Sequence, residues 1–153
     1  MSKALRSRLA GVQVGRNLRR NQKVDLISRA PLFAHLSRGQ LNEVAGIADE
    51  IDLREGKELT RQGAPGREFF VLLEGTADVR KGRRKINTLE AGDFFGEIAL
   101  VSRSPRTATV VATSPVRALV ITERSFRRLL ESMPEIQRKV LEALAERLAP
   151  TAL

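Results

Sequence analysis

Two charged residues of opposite sign, Glu97 and Arg106, stand in the stretch FFGEIALVSRSPRTATV, residues 94–110, each beside residues that constrain the backbone. Gly96 precedes the carboxylate; Pro105 precedes the guanidinium and Thr107 follows it. The segment GEIAL is too short for a free-standing helix and reads as a single helical turn inserted between strands. Such a turn, begun at a glycine, leaves backbone N–H groups with no acceptor inside the element, and their summed dipole favours an anion. The orphan donors of Ile98 and Ala99 can face a phosphate, and Gly96 allows close approach. Arg106 can offer a forked, charge-assisted bond to the same anion, on a backbone fixed by Pro105, and Thr107 adds a neutral hydroxyl. A carboxylate would repel a phosphate unless it faces another group, and a ribose 2′-OH can donate to ionised Glu97. The stretch therefore suits one phosphate joined to a ribose. It equally suits a helical turn in which Glu97 and Arg106 form a local salt bridge.

The elements around this stretch follow from texture. VDLISRAPLF sets Val24, Leu26 and Ile27 near one helical face before Pro31 ends the segment, and Ser37 with Gln40 forms a capping box for RGQLNEVAGIA. After Asp49 come short apolar or alternating runs punctuated by Gly56, Gly63, Gly66, Gly75, Gly82 and Gly92. The expectation is strands near 49–53, 57–61, 69–74, 76–80 and 84–89, with Phe94 and Phe95 closing a further one, then 107–113 and 116–121. That is enough for an antiparallel β jelly-roll barrel, so the fold class is mainly β with N-terminal helices and two C-terminal helices. The basic run RKGRRK at 80–85 falls on a tight turn and reads as a solvated hairpin tip. ERSFRRLLES predicts one short helix. Ser132 with Glu135 predicts a capping box for the next, with Pro134 in its first turn. That last helix carries Ile136, Val140, Leu141, Leu144 and Leu148 at helical spacing, a stripe that must cover something, and Pro150 ends it.

Composition narrows the chemistry. The 153 residues amount to one domain and include no cysteine and a single histidine, His35, so thiolate sites, cysteine nucleophiles and multi-histidine metal centres are excluded. No apolar run reaches membrane-spanning length, the N-terminus lacks the apolar core of a signal peptide, and the expected location is cytoplasmic. The net charge of +9 is uneven: residues 1–23 hold seven basic groups and no acid, leaving 20 basic against 18 acidic elsewhere. This divides the chain into a basic N-terminal arm, 1–23, and a domain, 24–153. Gly11 and Gly15 interrupt the arm's apolar periodicity. There is no GK[ST] after a glycine-rich loop and no GxGxxG after a strand, so neither a P-loop nor a dinucleotide fold is supported.

FGEIAL followed by PRTAT resembles the phosphate-binding cassette of the cyclic nucleotide-binding domain family, and the similarity, which includes FFVLLEGTADV and LEAGDFFGE, covers about residues 25–149. The family is shared by catabolite-activator-type regulators, cyclic-nucleotide-dependent kinases and cyclic-nucleotide-gated channels, and its fold is a β jelly roll flanked by helices. The resemblance implies a ligand, cAMP or cGMP, and no further cofactor. It places Phe95 at the head of the cassette motif, has Glu97 accept the ribose 2′-OH, and lets backbone groups of Gly96, Ile98 and Ala99 cradle the phosphate that Arg106 neutralises. Thr107 would touch phosphate and base, Val79 and Leu89 would pack against the purine, and Arg147 on a mobile last helix would stack over or bond the base. The function so implied is a stand-alone, non-enzymatic cyclic nucleotide sensor that repositions its C-terminal helix. The alternative is the ligand-binding portion of a transcription regulator or other larger signalling protein. Three residues follow Pro150, so neither a helix-turn-helix reader nor specific DNA binding is expected of the chain as given. A metal enzyme on a similar barrel is disfavoured by the lone histidine, and no nucleophile–base pair is visible. A protein partner or a homodimer would engage the C-terminal helix or the basic arm.

Overall fold

A computed structural model describes residues 19–148. Two helices, α1 (Arg20–Arg29) and α2 (Arg38–Ile47), lead into β1 (Ala48–Leu53), β2 (Glu58–Thr60), β3 (Glu68–Glu74), β4 (Ala77–Lys81), β5 (Arg84–Leu89) and β6 (Phe94–Phe95). A short helix α3 (Glu97–Ser102) interrupts the strands before β7 (Thr109–Ala112) and β8 (Val116–Thr122). The helices α4 (Glu123–Ser132) and α5 (Pro134–Leu148) complete the described chain.

The strands form two antiparallel four-stranded sheets, ordered β1-β8-β3-β6 and β2-β7-β4-β5. This is the jelly roll expected from the glycine punctuation. It is a pair of facing sheets rather than a closed barrel, since among the described residues each sheet has a linear strand order with two edge strands. β3 explains why EFFVLLE reads as one apolar run without alternation: both of its faces are covered. Phe69 and Val71 join a core with Ile27, Phe33, Val44, Phe126 and Ile136 from the helices, whereas Phe70 and Leu72 join Ile51, Leu59, Val110 and Val120 between the sheets. β5 is the opposite case, exposed along its length except at Leu89, as an edge strand with a charged tip should be.

The helix boundaries show where local signals held. Ser37 accepts from the Gln40 N–H at 3.1 Å, and the Gln40 side chain accepts from the Ser37 N–H at 2.9 Å, which is the expected capping box. α1 ends at Ala30, whose extended ψ of 130° is what the following Pro31 requires. α1 begins at Arg20, so the last residues of the expected basic arm form its first turn, while residues 1–18 lie outside the described residues. Lys23 donates to the Ala48 carbonyl at 2.6 Å and faces the buried Glu50 carboxylate at 4.0 Å, tying α1 to β1. Burial pushes the Glu50 carboxyl up and the Lys23 ammonium down from their ordinary values.

The second capping box does not form. Ser132 is the last residue of α4, and its hydroxyl donates to the Arg128 carbonyl at 2.9 Å inside that helix. Glu135 turns instead to Arg138 at 3.1 Å. The break falls at the buried Met133, whose carbonyl accepts from Ile136 and Gln137, each at 3.1 Å, and Pro134 opens α5 as expected. The stripe on α5 is covered over only part of its length: Ile136 and Val140 are buried and Leu144 packs against the same core, but Leu141 is 58% and Leu148 48% exposed. Pro150 lies outside the described residues.

Candidate functional site

The site is assembled from a strand end, a glycine and a loop. β6 pairs with β3 so that Phe95 lies opposite Phe70, and the two rings stack at 4.8 Å. Gly96 then turns the chain with a φ of 98°, a conformation that side chains rarely adopt, and starts α3. A Cβ here would stand 2.8 Å from the Glu68 carbonyl oxygen, so the backbone approach as well as the torsion demands glycine. The N–H groups of the first turn, including those of the half-buried Ile98 and the buried Ala99, have no acceptor within a helix this short.

Arg106 is 5% exposed. Its loop is laced to the β2–β3 connection: the Arg106 N–H donates to Ala64 O at 2.9 Å, and Gly63 N–H donates to Arg106 O at 2.8 Å. The guanidinium donates to Gly96 O at 3.2 Å and to Glu68 O at 2.7 Å, and it lies 3.8 Å from the Glu68 carboxylate and 5.7 Å from the Phe70 ring centroid. Gly66 makes room for it, since a Cβ at that position would fall 1.9 Å from Arg106 Nε. Gly66→Ala is therefore expected to keep the fold but expel the arginine from its seat. Calorimetry should show ligand affinity falling about tenfold or more, the scale of one charge-assisted contact. Thr107, next in the chain, is exposed at the rim.

Glu97 is fully buried, and its partner comes from the other end of the chain. Arg147, in the last turn of α5, donates to Glu97 Oε1, donates to Phe94 O at 2.6 Å, and lies 5.3 Å from the Phe94 ring centroid. The local pairing of Glu97 with Arg106 is thus replaced by two long-range pairs, Glu97 with Arg147 and Arg106 with Glu68. Glu97 Oε2 is buried with no hydrogen-bond partner among the described residues. A buried carboxylate oxygen left without a donor is costly and can be repaid by an incoming hydroxyl.

Val79 and Leu89 sit on the second sheet. The register Ala77↔Leu89, with Val79 two residues from Ala77, places both on the face that looks between the sheets, in the cluster that includes Phe95. The ten expected residues therefore fall into a cassette group of Phe95 to Ala99 with Arg106 and Thr107, an apolar wall of Val79 and Leu89, and Arg147 arriving from α5. Sequence reasoning missed Gly66, Glu68 and the roles of Phe70 and Phe94. Gly66 was read as turn punctuation, and the sole hint of Glu68 was an acid at the head of an otherwise apolar strand. A cavity of about 510 Å³ lies elsewhere, between α2 and α4 beside Ile47 and Leu129.

Fold and site together define a class: a β jelly roll with one short helix set between strands beside a buried arginine, and with a C-terminal helix bonded to that short helix. The chain belongs to the cyclic nucleotide-binding domain family, whose model matches residues 50–133. It is 42% identical over 112 residues to a cAMP-dependent protein kinase regulatory subunit of Mycosarcoma maydis, covering 65% of this chain and 21% of that one. It is 34% identical over 120 residues to a putative potassium channel protein of Rhodopseudomonas palustris, covering 75% of this chain and 29% of the relative. Among solved structures, Sp-2Cl-cAMPS bound to PKAR CBD2 is similar with a TM-score of 0.74 and 28% identity, over 88% of this chain and 92% of that one. The structure of cAMP-bound PfPKA-R is similar with a TM-score of 0.75 and 28% identity, over 88% of this chain and 48% of that one. The chain thus spans less than a third of the length of these curated relatives. No helix among the described residues is long and apolar enough to cross a membrane.

Proposed function

We propose that this domain is a non-enzymatic sensor that binds cAMP or cGMP in the cassette and reports occupancy through α5. In this reading the backbone of Gly96, Ile98 and Ala99 cradles the cyclic phosphate, Arg106 neutralises it, and Glu97 accepts the ribose 2′-OH. Val79 and Leu89 meet the purine, and Thr107 stands where phosphate and base are both in reach. The observation that carries the reading is the bond from Arg147 to Glu97. One carboxylate is held by the C-terminal helix and is also the group a ribose would use, so ligand and helix position cannot be independent. A ligand shifts such an equilibrium only by its differential affinity for the two helix arrangements. Relatives named as cAMP-dependent protein kinase regulatory subunits, and similar structures bound to cAMP and a cAMP analogue, support the ligand class. The output is a protein partner, a second copy, or a further domain of a larger signalling protein.

Side-by-side calorimetric titration with cAMP and cGMP tests the reading. One-site binding of at least one of them is expected, and the preference between them assigns the part played by Thr107. A folded chain that binds neither would sink the proposal.

A further inference from the structure

Arg106 is a charge placed almost wholly out of water, and the contacts that hold it differ in kind. Two are backbone carbonyls, Gly96 O and Glu68 O, and one is the face of Phe70. These orient the guanidinium but bring no net charge. Another is the Glu68 carboxylate at 3.8 Å, itself 3% exposed. A buried guanidinium without a counter-anion is strongly disfavoured, whereas a buried pair is tolerated. The separation matters as well: it exceeds the roughly 2.7–2.9 Å of a charge-assisted hydrogen bond, so Glu68 balances the charge without occupying the bonding distance of the fork.

We infer that Glu68 is the resident counter-ion of Arg106, balancing its charge in the empty site and opposing the phosphate when it arrives, so that it sets the affinity of the cassette below what the arginine alone would give. The inference rests on the cyclic nucleotide reading and deepens it, by naming a residue that regulates affinity from behind the site. Glu68 is a positioning residue: it reaches the ligand through Arg106. When an anion binds, the same guanidinium faces two negative groups, and their mutual repulsion is a negative coupling between Glu68 and ligand. Removing the carboxylate charge while keeping its shape destabilises the empty domain and relieves that opposition.

The test is E68Q in the full chain, titrated with cAMP and with cGMP beside the unsubstituted protein. The expected result is binding about five- to tenfold tighter, at the lower end of typical coupling between sites. It is accompanied by a lower melting temperature without ligand and a larger upward shift on adding it. A purely structural role could lower stability but could not raise affinity. Affinity equal to or below that of the unsubstituted chain overturns the counter-ion role and leaves the functional reading standing, whereas absence of binding by the unsubstituted chain overturns both. Should E68Q fold too poorly to titrate, melting of E68Q, R106Q and the double variant decides the matter. Removing both charges together should cost less than the two single losses combined, and additive losses would overturn the pairing.

Discussion

An Arg106→Ala chain is expected to bind cyclic nucleotide at least about a hundredfold more weakly in calorimetry, the equivalent of two charge-assisted hydrogen bonds at about 1.5 kcal/mol each. The guanidinium is positioned by more than its own loop: Ala64 and Gly63 hold its backbone, and Gly96 and Glu68 carbonyls aim its fork. Little reorganisation is left to do when an anion arrives, which is why the loss on truncation should be large. The same substitution strands the Glu68 carboxylate in the interior, and breaking a buried pair in this way costs about 3–5 kcal/mol. The melting temperature should therefore fall together with the affinity. Arg106→Lys separates the two effects, because lysine restores a positive charge but not the planar fork. It should recover more stability than affinity. A folded Arg106→Ala protein with unchanged affinity would remove Arg106 from the site.

The second large effect is expected from Glu97→Gln. The change preserves the shape of a fully buried side chain but takes away the charge that faces Arg147. Two losses follow from one atom. The ribose hydroxyl loses a charged acceptor, about 1.5–3 kcal/mol or roughly ten- to a hundredfold in affinity. The last turn of α5 loses its ionic anchor, leaving Arg147, among the described residues, the Phe94 carbonyl and ring and a neutral acceptor at position 97. Hydrogen exchange should register the second loss as faster amide exchange over residues 144–148 in the absence of ligand, with the core helices unchanged. Weakened binding with exchange at α5 unaltered would show that Glu97 serves the ligand but not the helix, and the coupling between them would have to be given up.

The segments that make up the cassette group are legible in the sequence because their signals are local. A glycine before a carboxylate, and a proline before an arginine, are statements about a few adjacent peptide units. The strands could be read for the same reason, since each turn from β1 to β6 carries its own glycine. What could not be read depends on the register of elements far apart in the chain. Glu68 looks like the solvent-facing start of an apolar strand until β6 is laid against β3 and Gly96 brings its loop over the strand end. Arg147, expected to stack over or bond a base, also pairs with Glu97, 50 residues earlier, a contact that no local spacing announces. Ser132 misled because a serine near a helix junction can serve either helix, and the preceding one claimed its hydroxyl. The α5 stripe meets the core at Ile136, Val140 and Leu144, whereas Leu141 and Leu148 are exposed, so periodicity specifies a face without supplying something to cover all of it.

β3 has one more consequence. Its first three residues look in turn at Arg106, at α4 and at Arg106 again: Glu68 lies at the guanidinium, Phe69 stacks on Phe126 at 4.4 Å, and Phe70 turns back beneath the arginine. The strand is a party wall one residue thick, with the Arg106 guanidinium on one side and the helical layer on the other. In a close-packed interior a wall that thin cannot be leaned on from one room without being felt in the next. In the proposed function, the arginine that would meet the phosphate and the helical layer are then separated by a single strand residue.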